Sequence, residues 1–286
     1  MKKLKDSILT IGKVIFKSGY KLKGANRREG DTLIVMGNGP SLRDTIDSSL
    51  ELLRNSDTMA VNFAANTPEF FHIRPMHYVL ADPLFFENLH PDCPSHESLP
   101  NMVELWGNIG KIDWPMTLHL PYRELKKIKK SRIKLPENIT LKPFNVTPGE
   151  GYDFICHFLY RQGLAMPRPR NVLIPAIMEG IREGYRNIYL VGADHTWPHT
   201  LYVDDCNRVV TVQPHFYKEN PKELDRIAEV YSKVRLHDVL QSMVIAFRSY
   251  HAINGYARKR GVKIFNATPG SLIDAFPRAS LLQENS

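Results

Sequence analysis

LIVMGNGPSL, residues 33–42, runs an aliphatic stretch into a glycine corner and leaves it as the start of a helix. The apolar run has the length and composition of a buried strand. Pro40 suits the first position of a helix, where its missing N–H costs nothing. Such a corner has two readings. It is a sharp strand-to-helix turn, or a loop whose backbone approaches a ligand while free helical N–H groups receive a phosphate. It is not the GxGxxG dinucleotide fingerprint, because Leu42 stands at the third glycine position, and no Gly-Lys-Ser/Thr follows to make a P-loop.

Outward from this corner, short apolar runs alternate with helical patterns. PSLRDTIDSSLELLRN reads as a helix, then DTMAVNFA and MHYVLADP as strands. Farther on, VLIPAIMEGIREG reads as a helix ended by Gly184, RNIYLVGAD as a buried strand, and VKIFNAT as a last strand after Gly261. Between those strands, the stretch from Val234 to Gly261 reads as a long helix with Leu236, Leu240, Met243, Phe247 and Tyr250 on one face. This alternation predicts an α/β, Rossmann-like fold, a mainly parallel sheet with helices on both faces. Residues 90–150 are irregular and proline-rich, with the basic run Arg123 to Lys134. Residues 196–222 interrupt the rhythm with aromatics and histidines. A long insertion after VGAD would lie over the carboxyl ends of the strands, where such sheets bind ligands, and act as a lid.

The chain has 286 residues, 43% of them hydrophobic, enough for one large domain with a substantial core. No apolar run reaches the roughly 18–20 residues that span a bilayer. Cys93, Cys156 and Cys206 are far apart and odd in number, which disfavours a disulfide framework or zinc knuckle and fits a reducing, cytoplasmic setting. The net charge of +8 is concentrated: residues 1–28 hold nine Lys/Arg and one Asp, and the other 258 residues are formally neutral. Leu4, Ile8, Ile11 and Ile15 recur at helical spacing in this arm, beside Leu9 and Phe16. The domain reading is therefore a basic amphipathic arm, 1–28, ahead of one domain, 29–286. Such an arm either lies on an anionic membrane, peripheral to the inner face, or packs on its own domain. Nucleic acid is not expected, because no wider basic and aromatic face accompanies the arm. A homo-oligomer stays open.

Three strand exits carry amide or acid groups in succession: Asn38, Asn62 with Asn66, and Asp82. One such residue usually forms a turn. Three in a row raise a nucleotide site, since amides both donate and accept as a pyrimidine or ribose requires.

GNGPSL, an Asn-bearing strand end, DPLFFEN, GYRNIYLVGAD and GVKIFNATPGSLIDAF, taken in order, resemble the CMP-sialic acid-dependent sialyltransferases of bacterial lipooligosaccharide synthesis. They resemble equally the related DUF115 group, which includes flagellin-glycosylation accessory factors and a pterin pyrophosphokinase. The likeness covers about residues 32–278. It implies a GT-A-like variant of the fold, in which Gly37, Asn38, Gly39, Pro40 and Ser41 wrap CMP and Asn62 contacts the nucleotide. Asp82 stands where the sialyltransferases have Asn. Asn171 lies near their Thr-Ser-Gly turn without its glycine, and Gly192 to Asp194 match their strand end before the lid. Tyr202 and Tyr217 stand for lid tyrosines at the donor phosphates. The resemblance also implies a lid histidine as general base, for which His215 and His195 are the candidates; histidine titrates near working pH.

His199, Asp204 and Asp205 match no metal-ligand spacing. No metal or other cofactor is expected; the CMP-sugar is a co-substrate. The resulting expectation is transfer of an acidic sugar, a sialic acid-like nonulosonic acid or Kdo, from a CMP donor to a cell-surface glycan or lipid-linked acceptor. The alternatives are an ATP- and magnesium-dependent pyrophosphokinase and a non-catalytic accessory protein of surface glycosylation.

Overall fold

A computed structural model describes residues 1–19, 31–87, 100–131, 133–211 and 234–281. Its elements, in chain order, begin with α1 (Lys2–Lys17), β1 (Thr32–Met36), α2 (Ser41–Arg54), β2 (Thr58–Val61), α3 (Pro68–Ile73) and β3 (His77–Val79). There follow α4 (Pro100–Ile109), β4 (Met116–Pro121), α5 (Leu125–Lys130), β5 (Ile139–Phe144), α6 (Asp153–Arg161), α7 (Leu173–Glu183) and β6 (Asn187–Val191). A small hairpin, β7 (Tyr202–Val203) and β8 (Val209–Val210), precedes α8 (Leu236–Lys259) and β9 (Lys263–Asn266).

Seven strands form one parallel sheet in the order β5-β4-β3-β2-β1-β6-β9. The chain enters at β1, steps outward through β5, and returns to the other side of β1 as β6. The strand order therefore reverses between β1 and β6. Alternate side chains of each strand feed opposite layers, as a two-residue period requires. Leu33, Val35, Met59 and Val61 pack with α6, α7 and α8, whereas Ile34, Met36, Ala60 and Tyr78 pack with α2, α3 and α4. Both faces are covered, which is why these strands read as continuous apolar runs.

The α/β expectation holds, and two local readings are corrected. The proline-rich segment contains β4 and β5, which the sequence hides. β5 is an edge strand with only its end residues buried, and it tolerates Lys142 and Pro143 because one side has no ladder to complete. On α8, Leu236 and Leu240 are exposed, and the buried stripe runs instead through Val239, Met243, Ala246, Tyr250, Ile253 and Ala257.

Helix α1 lies against the α/β body. Thr10 Oγ1 donates to the Glu150 carbonyl and accepts from the Glu150 N–H, and Ser7 Oγ accepts from the Tyr152 N–H. The contact is close because Gly151 has no side chain: a Cβ there would lie 2.2 Å from Ser7 Oγ. The described part of the insertion, 196–211, is a short 3-10 turn followed by the β7–β8 hairpin. Val209 packs it onto Val239 and Met243 of α8.

Candidate functional site

The reversal of strand order leaves a crevice beyond the carboxyl ends of β1 and β6, the position at which open parallel sheets bind ligands. A cavity of about 730 Å³ occupies it, within the range of small-molecule sites. Its wall includes Gly37 to Pro40, Asn62, Asp82, Asn171, Gly192, Asp194 and His195. Residues from five separate parts of the chain thus converge there.

The glycine corner is built by backbone packing. Gly37 N–H donates to the Val191 carbonyl and Gly39 N–H to the Gly192 carbonyl, at 2.7 and 2.8 Å. A Cβ on Gly37 would sit 2.3 Å from the Gly192 carbonyl oxygen, and one on Gly39 would sit 1.9 Å from Asp194 Oδ2. The two strand exits therefore cross at a distance that only glycine permits. Behind them the segment after β9 braces the β6 exit. Ala193 N–H donates to Thr268 Oγ1, and Ser271 Oγ donates to the Ala193 carbonyl.

The start of α2 does not offer free N–H groups to a phosphate. Ser41 N–H and Oγ both donate to the Asp194 carboxylate, while the Leu42 and Arg43 N–H groups donate to the Gly39 and Pro40 carbonyls. Asp194 satisfies the helix end that a ligand was expected to satisfy, and its negative charge favours the positive end of the macrodipole. Ser41 consequently faces away from the cavity wall, the reverse of its expected position in the cradle.

Asn38 behaves differently. It is only 8% exposed, lies on the cavity wall, and neither Nδ2 nor Oδ1 has a hydrogen-bond partner among the described residues. Buried amides are nearly always paired, because leaving one group unpaired costs about 1–3 kcal/mol. The unmet donor and acceptor are enclosed in the wall of the crevice. Two cavity residues, Asn62 and His195, also hold left-handed backbone, with φ of 51° and 54°. Non-glycine residues seldom adopt it, and Asn and His are among those that do. Tyr78 fastens the Asn62 turn by donating its hydroxyl to the Asn62 carbonyl. Asp82 is exposed and accepts from the Leu84 N–H at 2.9 Å, capping its own turn.

His195 is buried against Trp197, ring centroids 4.3 Å apart. Its Nε2 lies 2.6 Å from the Tyr250 hydroxyl, which donates to Asn171 Oδ1 at 2.9 Å. The Asn171 amide nitrogen also lies 3.4 Å from Nε2, so a hydroxyl and an amide both meet that ring nitrogen. Burial pushes the His195 pKa down to about 3, so the ring is neutral at physiological pH. Asn171 Oδ1 also accepts from the Leu173 N–H and opens α7.

Three arginines reach the cavity: Arg123, the first residue of the basic run seen in the sequence, and Arg168 and Arg170, which the sequence did not single out. Arg168 forks onto the Glu150 carboxylate at 3.0 and 2.7 Å and holds that carboxyl below its usual range. Arg123 and Arg170 make no ion pair among the described residues. They come from the β4 exit and from the segment ahead of α7. Tyr202 is exposed on the hairpin and does not line the cavity. Asp204 secures that hairpin through Arg208 and the Cys206 N–H. His215 and Tyr217 lie outside the described residues.

No protein-family model matches this chain, and no curated protein sequence does. Among solved structures it is similar to the MAf glycosyltransferase from Magnetospirillum magneticum AMB-1, at 10% identity and a TM-score of 0.49. That similarity covers 97% of this chain and 38% of the other, so this chain spans well under half the length of its neighbour. A likeness of this degree carries no argument about substrate or mechanism.

Proposed function

We propose that the crevice binds the nucleotide of a CMP-activated acidic sugar and that the protein transfers this sugar to a glycan or lipid-linked acceptor. The observation that supports this most directly is the unpaired, buried Asn38 amide at the strand-order reversal. A donor and an acceptor side by side match the paired polar edge of a cytosine or a ribose. Arg123 and Arg170 supply positive charge for the phosphate and for the carboxylate of an acidic sugar. In the reaction the acceptor hydroxyl gives its proton to a histidine, and its oxygen forms the bond to the anomeric carbon. The bond to the CMP phosphate oxygen breaks, and the departing charge is met by the arginines.

Among the described residues His195 is the base candidate. Its low pKa keeps it unprotonated, and a phosphate entering beside it raises its proton affinity. The pyrophosphokinase alternative asks for carboxylates free to hold magnesium. Asp194 is taken by Ser41 and Asp204 lies on the hairpin, which leaves Asp82, with Oδ1 on the Leu84 N–H, as the one of these carboxylates open to a cation at the cavity.

A thermal-shift screen of CMP, CDP, UDP, GDP and ATP, each with and without magnesium, tests the reading, since ligand binding raises native stability by mass action. CMP is expected to shift the transition without magnesium. A shift with ATP and magnesium alone would replace glycosyl transfer by the kinase reading.

A further inference from the structure

Helix α1 turns its apolar side away from the protein. Its inner face consists of Ser7, Thr10 and Val14, all buried, and the hydrogen bonds to Glu150 and Tyr152 hold it there. Leu4, Ile8, Leu9, Ile11, Ile15 and Phe16 are all exposed, Ile8 at 61% and Phe16 at 86%. This is the reverse of an ordinary surface helix, which buries its apolar stripe in its own core. Helix α6, whose Cys156 belongs to the same buried cluster as Val14, exposes Phe154 at 71% and Phe158 at 60%, one turn apart.

We propose that this face seats on an anionic lipid bilayer, with α1 lying in the plane of the interface. Charge supports that occupant. Lys2, Lys3, Lys5, Lys13 and Lys17 accompany the stripe, with Asp6 the one acid of the helix. The first turn holds no acidic residue and no side-chain cap, so cations sit where the helix macrodipole favours anions. Anionic headgroups offset both. A second copy of this chain would bring a second set of lysines to the same place without carboxylates to balance them. A helix of 16 residues is about 24 Å long, long enough to lay six apolar side chains into the headgroup boundary. The helix is also tied to the cavity. Glu150, whose backbone holds Thr10, carries the carboxylate that forks onto Arg168 of the cavity wall. The inference stands whether or not the crevice binds CMP.

The test is flotation of the full chain with vesicles of phosphatidylcholine alone and of phosphatidylcholine mixed with phosphatidylglycerol. The protein should float with the mixed vesicles, much less with the neutral ones, and be partly released by salt. Ile8→Gln with Ile15→Gln alters only exposed side chains, so circular dichroism and melting should match the parent. Each buried isoleucine lost should weaken partitioning about tenfold or more. Two results overturn the proposal. One is no flotation with either vesicle, or flotation that the double substitution leaves unchanged. The other is self-association in lipid-free buffer, seen by light scattering and abolished by the same substitutions, which would assign the face to a second copy.

Discussion

Asp194 carries the clearest lesson at the residue scale. The sequence shows a helix start behind a glycine corner and leaves its N–H groups open; the fold meets it with a carboxylate from the loop after β6, 153 residues away. No local pattern reveals such a pairing, because it depends on β6 lying beside β1. Asp194→Ala should cost about 1–2 kcal/mol, as lost helix caps do, read from chemical denaturation. Gly39→Ala should cost about 2 kcal/mol or more, since its Cβ has no space beside Asp194. A wild-type-like Gly39→Ala melt would show that the two strand exits do not cross as described.

His195 makes a pH prediction. Its folded pKa, about 3, is below the unfolded value near ~6.5, so the unfolded chain binds the extra proton between those values. Stability must therefore fall as pH drops through that window. The contribution is about 1.4 kcal/mol per pH unit. His195→Asn, which keeps a residue tolerant of left-handed backbone, should flatten the wild-type slope there. In turnover, a His195 base predicts no acid limb of kcat/KM near pH ~6.5, whereas a base with the ordinary imidazole pKa would produce one. His195 was legible as a candidate base from residue type and resemblance. Its burial beside Tyr250 and Trp197 was not, because that is a property of the fold.

Among elements, those with continuous apolar runs were legible from the outset: β1, β2, β3, β6, β9, α2 and α7. They are buried on both faces or bear a wide apolar stripe. β4 and β5 were not, since prolines punctuate their segment and β5 is half exposed at the edge. The face of α8 was misjudged by a partial turn because Leu236 and Leu240 look like core residues and are not. For α1 the periodicity was plain but the direction was not. Its small polar residues, not its isoleucines, grip the body, and only Gly151 allows it. Gly151→Ala places a Cβ against Ser7 at a residue with φ of 123°, so α1 should detach. Limited trypsin digestion should then cut after Lys13 and Lys17 far faster than in the parent, while the sheet melts nearly as before. Unchanged cleavage would contradict the docking.

For the whole molecule, the strand order gathers dispersed residues into one place. Asn38, Asn62 and Asp82 were recognisable as successive strand exits, and the sheet does bring them to one crevice. Arg123 joins them from the start of the basic run, and Arg168 and Arg170 from a loop that no motif distinguishes. The account rests on Asn38 being a ligand group held unpaired at the cost of stability. A calorimetric titration of CMP into the parent and into Asn38→Ala, with melting of both proteins, tests it most directly. The account predicts that the variant melts at the same temperature or higher, having lost two buried unpaired atoms, and binds CMP about tenfold more weakly or worse. A variant that is less stable and binds CMP equally well would contradict it.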